Sequence, residues 1–333
     1  MDSPRMSLSR RNVLKHSLLL GAGLAAGPAS WAESPYPSRP IRLVVPFPPG
    51  GSTDQIARAV AREVEGLLGQ PLVIDNKPGA AGVIGYRYLR EQAPDGYTIA
   101  AISSSLWTQP LLTDVKYDPF KDFTYISCLA DYVFAVMAST DAPFKTFAEL
   151  VRYGKGNPSK ISFGAPPGLG QSAHLFMEQV MSQENVKWQP IGYKGSSESM
   201  TAVLGGHISF SVDTVLTAMP FVQSGKIRLL AVANDKRLKS QPNVPTMPEL
   251  GYPLTIDSVV GVAGPPGLPQ PIAERLDAAF RTALQRPSVT AILAQAEQLP
   301  HYLSGAQFLA HAQESYKQQQ KMMKQFNMGG ATQ

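Results

Sequence analysis

Residues 41–54 read Ile41-Arg42-Leu43-Val44-Val45-Pro46-Phe47-Pro48-Pro49-Gly50-Gly51-Ser52-Thr53-Asp54. The opening β-branched run predicts a short buried strand over 41–46. Past the Pro/Gly loop, residues 55–68 place Ile56, Val60, Val64 and Leu67 at helical spacing, and Ser52 three residues before Gln55 matches a capping box. The alternation continues outward. Residues 72–74 read as a strand and 81–93 as a helix closed by the turn Pro94-Asp95-Gly96. Residues 98–102 read as a further strand. This β-α-β-α-β order predicts a parallel sheet covered on both faces.

The pattern then repeats with other lengths. Strands are expected over 125–130, 134–138, 161–165, 208–212, 227–233 and 259–263, with a short one at Ile191. Helices are expected from the Thr146 cap to 154, over 172–181 and 197–204, and in three closing segments at 272–284, 289–296 and 306–326. The last turns polar at its end and is expected to lie over the surface. Two α/β lobes fit this order. The chain is expected to cross between them within 118–131 and again within 252–264. If both crossings are hinges, lobe one is residues 36–130 plus 257–333 and lobe two is 131–256, the architecture of proteins that close on a ligand.

The chain has 333 residues, 44% of them hydrophobic and 17% charged, enough to bury a core and exclude bulk disorder. Its single cysteine, Cys128, excludes an internal disulfide and cysteine-based metal sites. The formal charge is +5, but Arg5, Arg10, Arg11 and Lys15 stand against only Asp2 in the first 32 residues. Without that segment the charge is +2, which argues against nucleic acid as a partner. Ser9-Arg10-Arg11, the apolar run over 17–29 and Ser30-Trp31-Ala32 read as a signal peptide over 1–32 of the twin-arginine subtype, with Val13 where phenylalanine is usual. The apolar run is short for a membrane span. An exported periplasmic protein with no stable membrane anchor after cleavage is therefore expected.

Chemistry is expected where strands hand over to helices, because ligands in open α/β sheets bind beyond the carboxyl ends of strands. In the loop from Pro46 to Asp54, Gly50 and Gly51 let the backbone approach a ligand. The free N–H groups of the following helix favour an anion without help from lysine or arginine. The same loop would also serve as a plain turn before a capped helix. Gly164-Ala165-Pro166-Pro167-Gly168-Leu169-Gly170-Gln171-Ser172-Ala173-His174 is a similar loop in the other lobe. Its glycines lack dinucleotide spacing, and His174 reads as a structural hydrogen-bond partner rather than a base. Ser103-Ser104-Ser105-Leu106-Trp107-Thr108 offers hydroxyl donors and a flat indole wall, or equally a polar loop over a core tryptophan. In Tyr193-Lys194-Gly195-Ser196-Ser197 the lysine would pair with an anion or simply stand in solvent. Asp213, before Thr214, would repel an acid unless it takes an amine, a water or the loop backbone. No nucleophile elbow, His-Glu-x-x-His or phosphate loop is present. His16, His174, His207, His301 and His311 are not at metal-ligand spacing. Binding is favoured over catalysis, with no metal or cofactor expected.

Several further stretches carry a family resemblance: Tyr36 to Phe47, Gly50-Gly51-Ser52-Thr53-Asp54, Asn76-Lys77-Pro78-Gly79-Ala80-Ala81-Gly82, Pro94-Asp95-Gly96-Tyr97-Thr98 and Tyr117 to Phe123. Tyr193-Lys194-Gly195, Leu204-Gly205-Gly206, Gly225-Lys226-Ile227-Arg228 and Val244-Pro245-Thr246 follow in the same order. The mature sequence resembles the extracytoplasmic solute-binding receptors of tripartite tricarboxylate transporters, the Bug or TctC family, over nearly all of 36–325. The resemblance implies a two-lobed periplasmic-binding-protein fold, with a hinge and a central cleft that captures a small organic carboxylate for membrane transporter subunits. It implies that backbone amides and hydroxyls of two facing loops hold one carboxylate. These are Gly50, Gly51, Ser52, Thr53 and Asp54 in one lobe and Gly168, Gly170, Gln171 and Ser172 in the other, with Asp213 lining the cleft. Phe47, Ser104, Ser105 and Trp107 complete the expected site. Pro166, Pro167 and Leu169 stand where the family is richer in hydroxyls, and Trp107 is bulky for its loop. An aromatic or otherwise apolar carboxylate is therefore expected. The alternatives are a ligand sensor serving a signalling protein and, further off, a periplasmic enzyme.

Overall fold

The computed structural model describes residues 36–158, 160–295, 298 and 300–328; the leader expected over 1–32 lies outside the described residues. Strand β1 (Ile41–Val45) is buried at every position but Arg42. It pairs in parallel with β2 (Leu72–Asn76) and β3 (Thr98–Ser103). Between β1 and β2 runs α1 (Ser52–Leu68), whose Ile56, Val60 and Val64 are wholly buried. Helix α2 (Val83–Arg90) is shorter than expected, because residues Ala80–Gly82 form a 3₁₀ turn in which Ala81 takes φ 51° and Gly82 φ 97°.

Three more strands complete this sheet: β4 (Thr124–Asp131), β10 (Val259–Gly264) and β11 (Pro300–Ser304), in the order β11-β4-β10-β3-β1-β2. Strand β10 is antiparallel to both β3 and β4, so the parallel expectation holds for β1 to β3 only. The second sheet contains β5 (Phe134–Ser139), β6 (Ser162–Ala165), β7 (Gln189–Gly192), β8 (Phe210–Thr214) and β9 (Ile227–Val232), in the order β7-β6-β8-β5-β9. The chain passes from the first sheet to the second between β4 and β5, and returns between β9 and β10. The Tyr132 N–H donates to Ser258 O at 2.8 Å and ties the two crossings side by side.

The remaining helices are α3 (Ser105–Thr108), α4 (Phe147–Gly156), α5 (Ser172–Glu184), α6 (Ser196–Leu204), α7 (Val215–Gln223), α8 (Gln270–Ala283), α9 (Pro287–Gln295) and α10 (Gly305–Gln325). Thr146 caps α4 as expected, accepting from the Glu149 N–H at 3.2 Å. Three expectations are corrected. Residues 105–108 form a short helix rather than a loop. Helix α7 and strand β11 are not legible in the sequence. Pro220 interrupts the pattern of α7, yet its face of Val215, Leu216, Ala218 and Met219 is buried, and tertiary packing outweighs the proline. The last helix is not a surface strap. Phe308 and Ala312 of α10 are wholly buried, and Phe308 meets Trp107 and Tyr125 edge to face at 6.2 and 5.2 Å. No described helix is long and apolar enough to cross a membrane.

Candidate functional site

A small cavity lies where the two sets of strand-to-helix loops face each other. The first sheet contributes Phe47, Pro48, Gly51, Ser52 and Thr53 before and at the start of α1, with Ser103, Ser104 and Ser105 after β3. The second contributes Pro166, Pro167, Gln171, Ser172 and Ala173 around the start of α5, and Gly195, Ser196 and Thr214 at the starts of α6 and α7. The crossings add Tyr132, Phe134 and Ser258. Among the described residues, no lining side chain is charged.

Four helices of eight residues or more begin in this wall, and no side chain caps any of them: α1 after Gly51, α5 after Gln171, α6 after Gly195 and α7 after Thr214. Their first N–H groups and dipoles present partial positive charge to the cavity. Two polar atoms in the wall, Gln171 Nε2 and Ser172 Oγ, are buried without a hydrogen-bond partner. Such an arrangement accepts an anion through neutral donors.

The expected capping box at Ser52 does not form. Gly51 is the cap residue, and Gln55 Nε2 donates to Gly50 O at 2.9 Å. The Ser52 hydroxyl instead reaches across the cleft, hydrogen-bonded to Thr214 Oγ1 at 2.5 Å and Thr217 Oγ1 at 2.9 Å. The Thr108 hydroxyl donates to Gln171 Oε1 at 2.6 Å, also between lobes. Gly195 lies so close to Pro48 that a β-carbon there would stand 2.8 Å from its ring. The lobes are shut on each other. At the crossing, the Tyr132 hydroxyl is hydrogen-bonded to Thr53 Oγ1 at 2.6 Å.

Of the residues expected at the site, Phe47, Gly51, Ser52, Thr53, Ser104, Ser105, Gln171 and Ser172 come together in the wall. Gly50, Asp54, Trp107, Gly168, Gly170 and Asp213 do not. Asp54 and His174 brace the two loops from behind. Asp54 accepts from the Gly50 N–H at 2.9 Å, from Arg58 Nε at 2.8 Å and from Asn76 Nδ2 at 2.9 Å. Burial would raise the Asp54 carboxyl, but these hydrogen bonds outweigh it and hold it below its ordinary value. His174 Nδ1 accepts from the Gly170 N–H at 2.8 Å, the structural role the sequence suggests. Gly50, at φ 81°, makes the turn that aims the first loop and does not itself line the cavity.

Trp107 is a correction. It is wholly buried against Phe308 in the first lobe, because the segment expected to be a loop is helical and turns the indole into the core. Leu169 is 47% exposed and is outside the wall. Asp213 is wholly buried behind Thr214, whose N–H donates to its Oδ1 at 2.7 Å, while Oδ2 has no partner. The backbone contact is thus the one the sequence allowed. Lys194 is exposed, and its backbone N–H donates to Glu198. Tyr132, Phe134 and Ser258 were missed as wall residues. Tyr132 and Phe134 lie just past the 118–131 stretch expected to hold the first crossing, because β4 runs to Asp131 and the chain crosses only after it; Ser258 lies within the second expected crossing, 252–264.

The model of the tripartite tricarboxylate transporter family receptor, TctC, matches residues 56–328. A Cupriavidus necator protein, the UPF0065 protein in the gbd 5′ region, is 38% identical over 309 residues, covering 93% of this chain and 94% of that one. The periplasmic binding protein BugD superposes with a TM-score of 0.84 at 29% identity, over 88% of this chain and 99% of that one. The same TM-score, identity and coverage hold for the R. palustris protein Rpa4515 with adipate. With its two sheets, its cleft of converging helix starts and this match over most of its length, the chain belongs to the tripartite tricarboxylate transporter receptor family of solute-binding proteins, the Bug or TctC family.

Proposed function

We propose that this protein captures a small organic acid in the periplasm and delivers it to the membrane subunits of a tripartite transporter. The observation that carries the reading is the convergence of four uncapped helix starts on a cavity without a cation. A carboxylate there takes backbone N–H donors, with Ser52, Thr53, Gln171 and Ser172 around it. Phe47, Pro48, Pro166, Pro167, Phe134 and the Tyr132 ring supply the apolar part of the wall, beside the hydroxyls of Ser103, Ser104, Ser105, Ser196, Thr214 and Ser258, and suit an apolar or aromatic remainder. The apolar preference rests on these residues and no longer on Trp107 or Leu169. The working lobes are 36–130 plus 257–333 and 131–256, hinged at the two crossings. Export runs through the twin-arginine route, with removal of 1–32, and replacing Arg10 and Arg11 by lysine stops it.

The test is a melting-temperature and calorimetry panel on the mature protein, with benzoate, phenylacetate, adipate, malate, citrate and glutamate. Binding to the native state raises the melting temperature by mass action. The largest rise is expected with the aromatic monocarboxylates. A larger rise with citrate or malate overturns the apolar preference and keeps the receptor. No rise with any acid, from protein refolded free of carried-over ligand, overturns the receptor reading.

A further inference from the structure

The C-terminal helix α10 does two things along its length. Its first half is built into the first lobe: Phe308 packs against Trp107 and Tyr125, and Tyr316 meets Phe120 edge to face at 5.4 Å. Its far end leaves that core. Met323, 2% exposed, packs in a small cluster with Leu111 of the first lobe and Leu175 of the second, bordered by Leu112, Met328 and Tyr316, the last shared with the first-lobe core. Beside it, Gln179 Nε2 donates to Met322 Sδ at 3.6 Å. Leu175 and Gln179 belong to α5, the helix whose uncapped start lines the cavity. Leu175 is three residues from Ser172. Nearby, a side chain at Gly170 would run into Leu112. None of Leu111, Leu175, Met322 or Met323 touches the cavity.

We infer that the end of α10 is a latch that favours the shut arrangement from outside the cavity, with Met323 and Leu175 as its positioning residues for ligand capture. The inference rests on the capture reading above. Met323 moves with the first lobe and Leu175 with the second, so parting the lobes exposes both side chains to water. Their burial is a bias toward closure that no ligand supplies. A receptor whose competent state is more populated binds its ligand more tightly in proportion, although the ligand never meets the latch. Met is suited to such a seam, because an unbranched, polarizable chain repacks as the surfaces slide.

The test places spin labels at Glu65→Cys and Lys187→Cys, one on each lobe, and reads the distance distribution by double electron–electron resonance. Cys128 is wholly buried and stays unlabelled. Met323→Ala and Leu175→Ala are expected to shift the ligand-free population toward longer distances. They also raise the concentration of probe acid, benzoate or adipate, needed for half closure by roughly tenfold. Met323→Leu keeps the apolar contact and is expected to match the parent. Should the alanine variants fold poorly, the milder Leu175→Val moves both quantities in the same direction by less. Distances and half-closure concentrations unchanged in the folded variants overturn the latch. If the parent binds neither probe, the capture reading fails on its own account, while the ligand-free distances still decide the latch.

Discussion

Asp213 sits wholly buried behind the hydroxyls that join the lobes, and burial pushes its carboxyl up to about 6 from an ordinary 3.8. The Ser196 hydroxyl, then the Thr214 N–H and the Ser199 hydroxyl, offset only part of that cost. A carboxyl with a raised native value binds its proton more tightly folded than unfolded. Between about pH 4 and 6 the native state therefore loses stability as pH rises. Asp213→Asn keeps the Oδ1 acceptor and removes the charge. At pH 7.5 the variant is expected to be more stable than the parent by on the order of 2 kcal/mol, with the gap closing below about pH 4. Chemical unfolding at a series of pH values reads this. A gap that is flat across the series would mean that burial of the charge is not what Asp213 costs. The other two titratable side chains at the loops act differently. Asp54 and His174 each accept a glycine N–H four residues upstream, so a loop that looks flexible in sequence is held from behind.

Among the elements, the working parts are helix starts, and what they lack matters. Serine and threonine near a helix start ordinarily cap it. Here Ser52 lies one residue inside α1 and bonds across the cleft, so the α1 amides are left for a guest. The start of α6 approaches the first lobe through Gly195, whose backbone is extended at φ −178° and would accept any residue on conformational grounds. Space is what forbids one, because Pro48 fills it. Gly195→Val is therefore expected to fold with a ligand-free melting temperature within a few degrees of the parent. It holds the lobes apart and weakens acid binding more than tenfold, as measured by calorimetry. Unchanged affinity would show that binding does not require Pro48 and Gly195 to meet.

At the scale of the molecule, the cavity belongs to neither lobe alone. Two backbone crossings, the Ser52 to Thr214 and Thr108 to Gln171 hydrogen bonds and the α10 seam connect the halves. A ligand that binds only the shut form stabilises both lobes together. At one hundred times its dissociation constant it is expected to add about 2.7 kcal/mol to global unfolding. Urea unfolding followed by probes in each lobe should give coincident midpoints that move together. One lobe moving while the other stays would assign the site to a single lobe.

Much of the fold was legible because it rests on local pattern. The β-branched run of β1, the helical spacing of α1 and the Pro/Gly punctuation between them depend on neighbours in sequence, and they determined an α/β chain with glycine loops at strand ends. The family motifs lie in the same segments. What the tertiary structure alone decided depends on distant partners. Pro220 is tolerated in α7 because the rest of its face is buried, Trp107 turns into the core to meet Phe308 from the last helix, and Ser52 gives up its cap for Thr214. Tyr132, Phe134 and Ser258 became wall residues only when the crossings were brought side by side. A single sequence carries propensity and period, but which residue faces a cavity is set by contacts 100 or more positions away, and those exist only once the chain has folded.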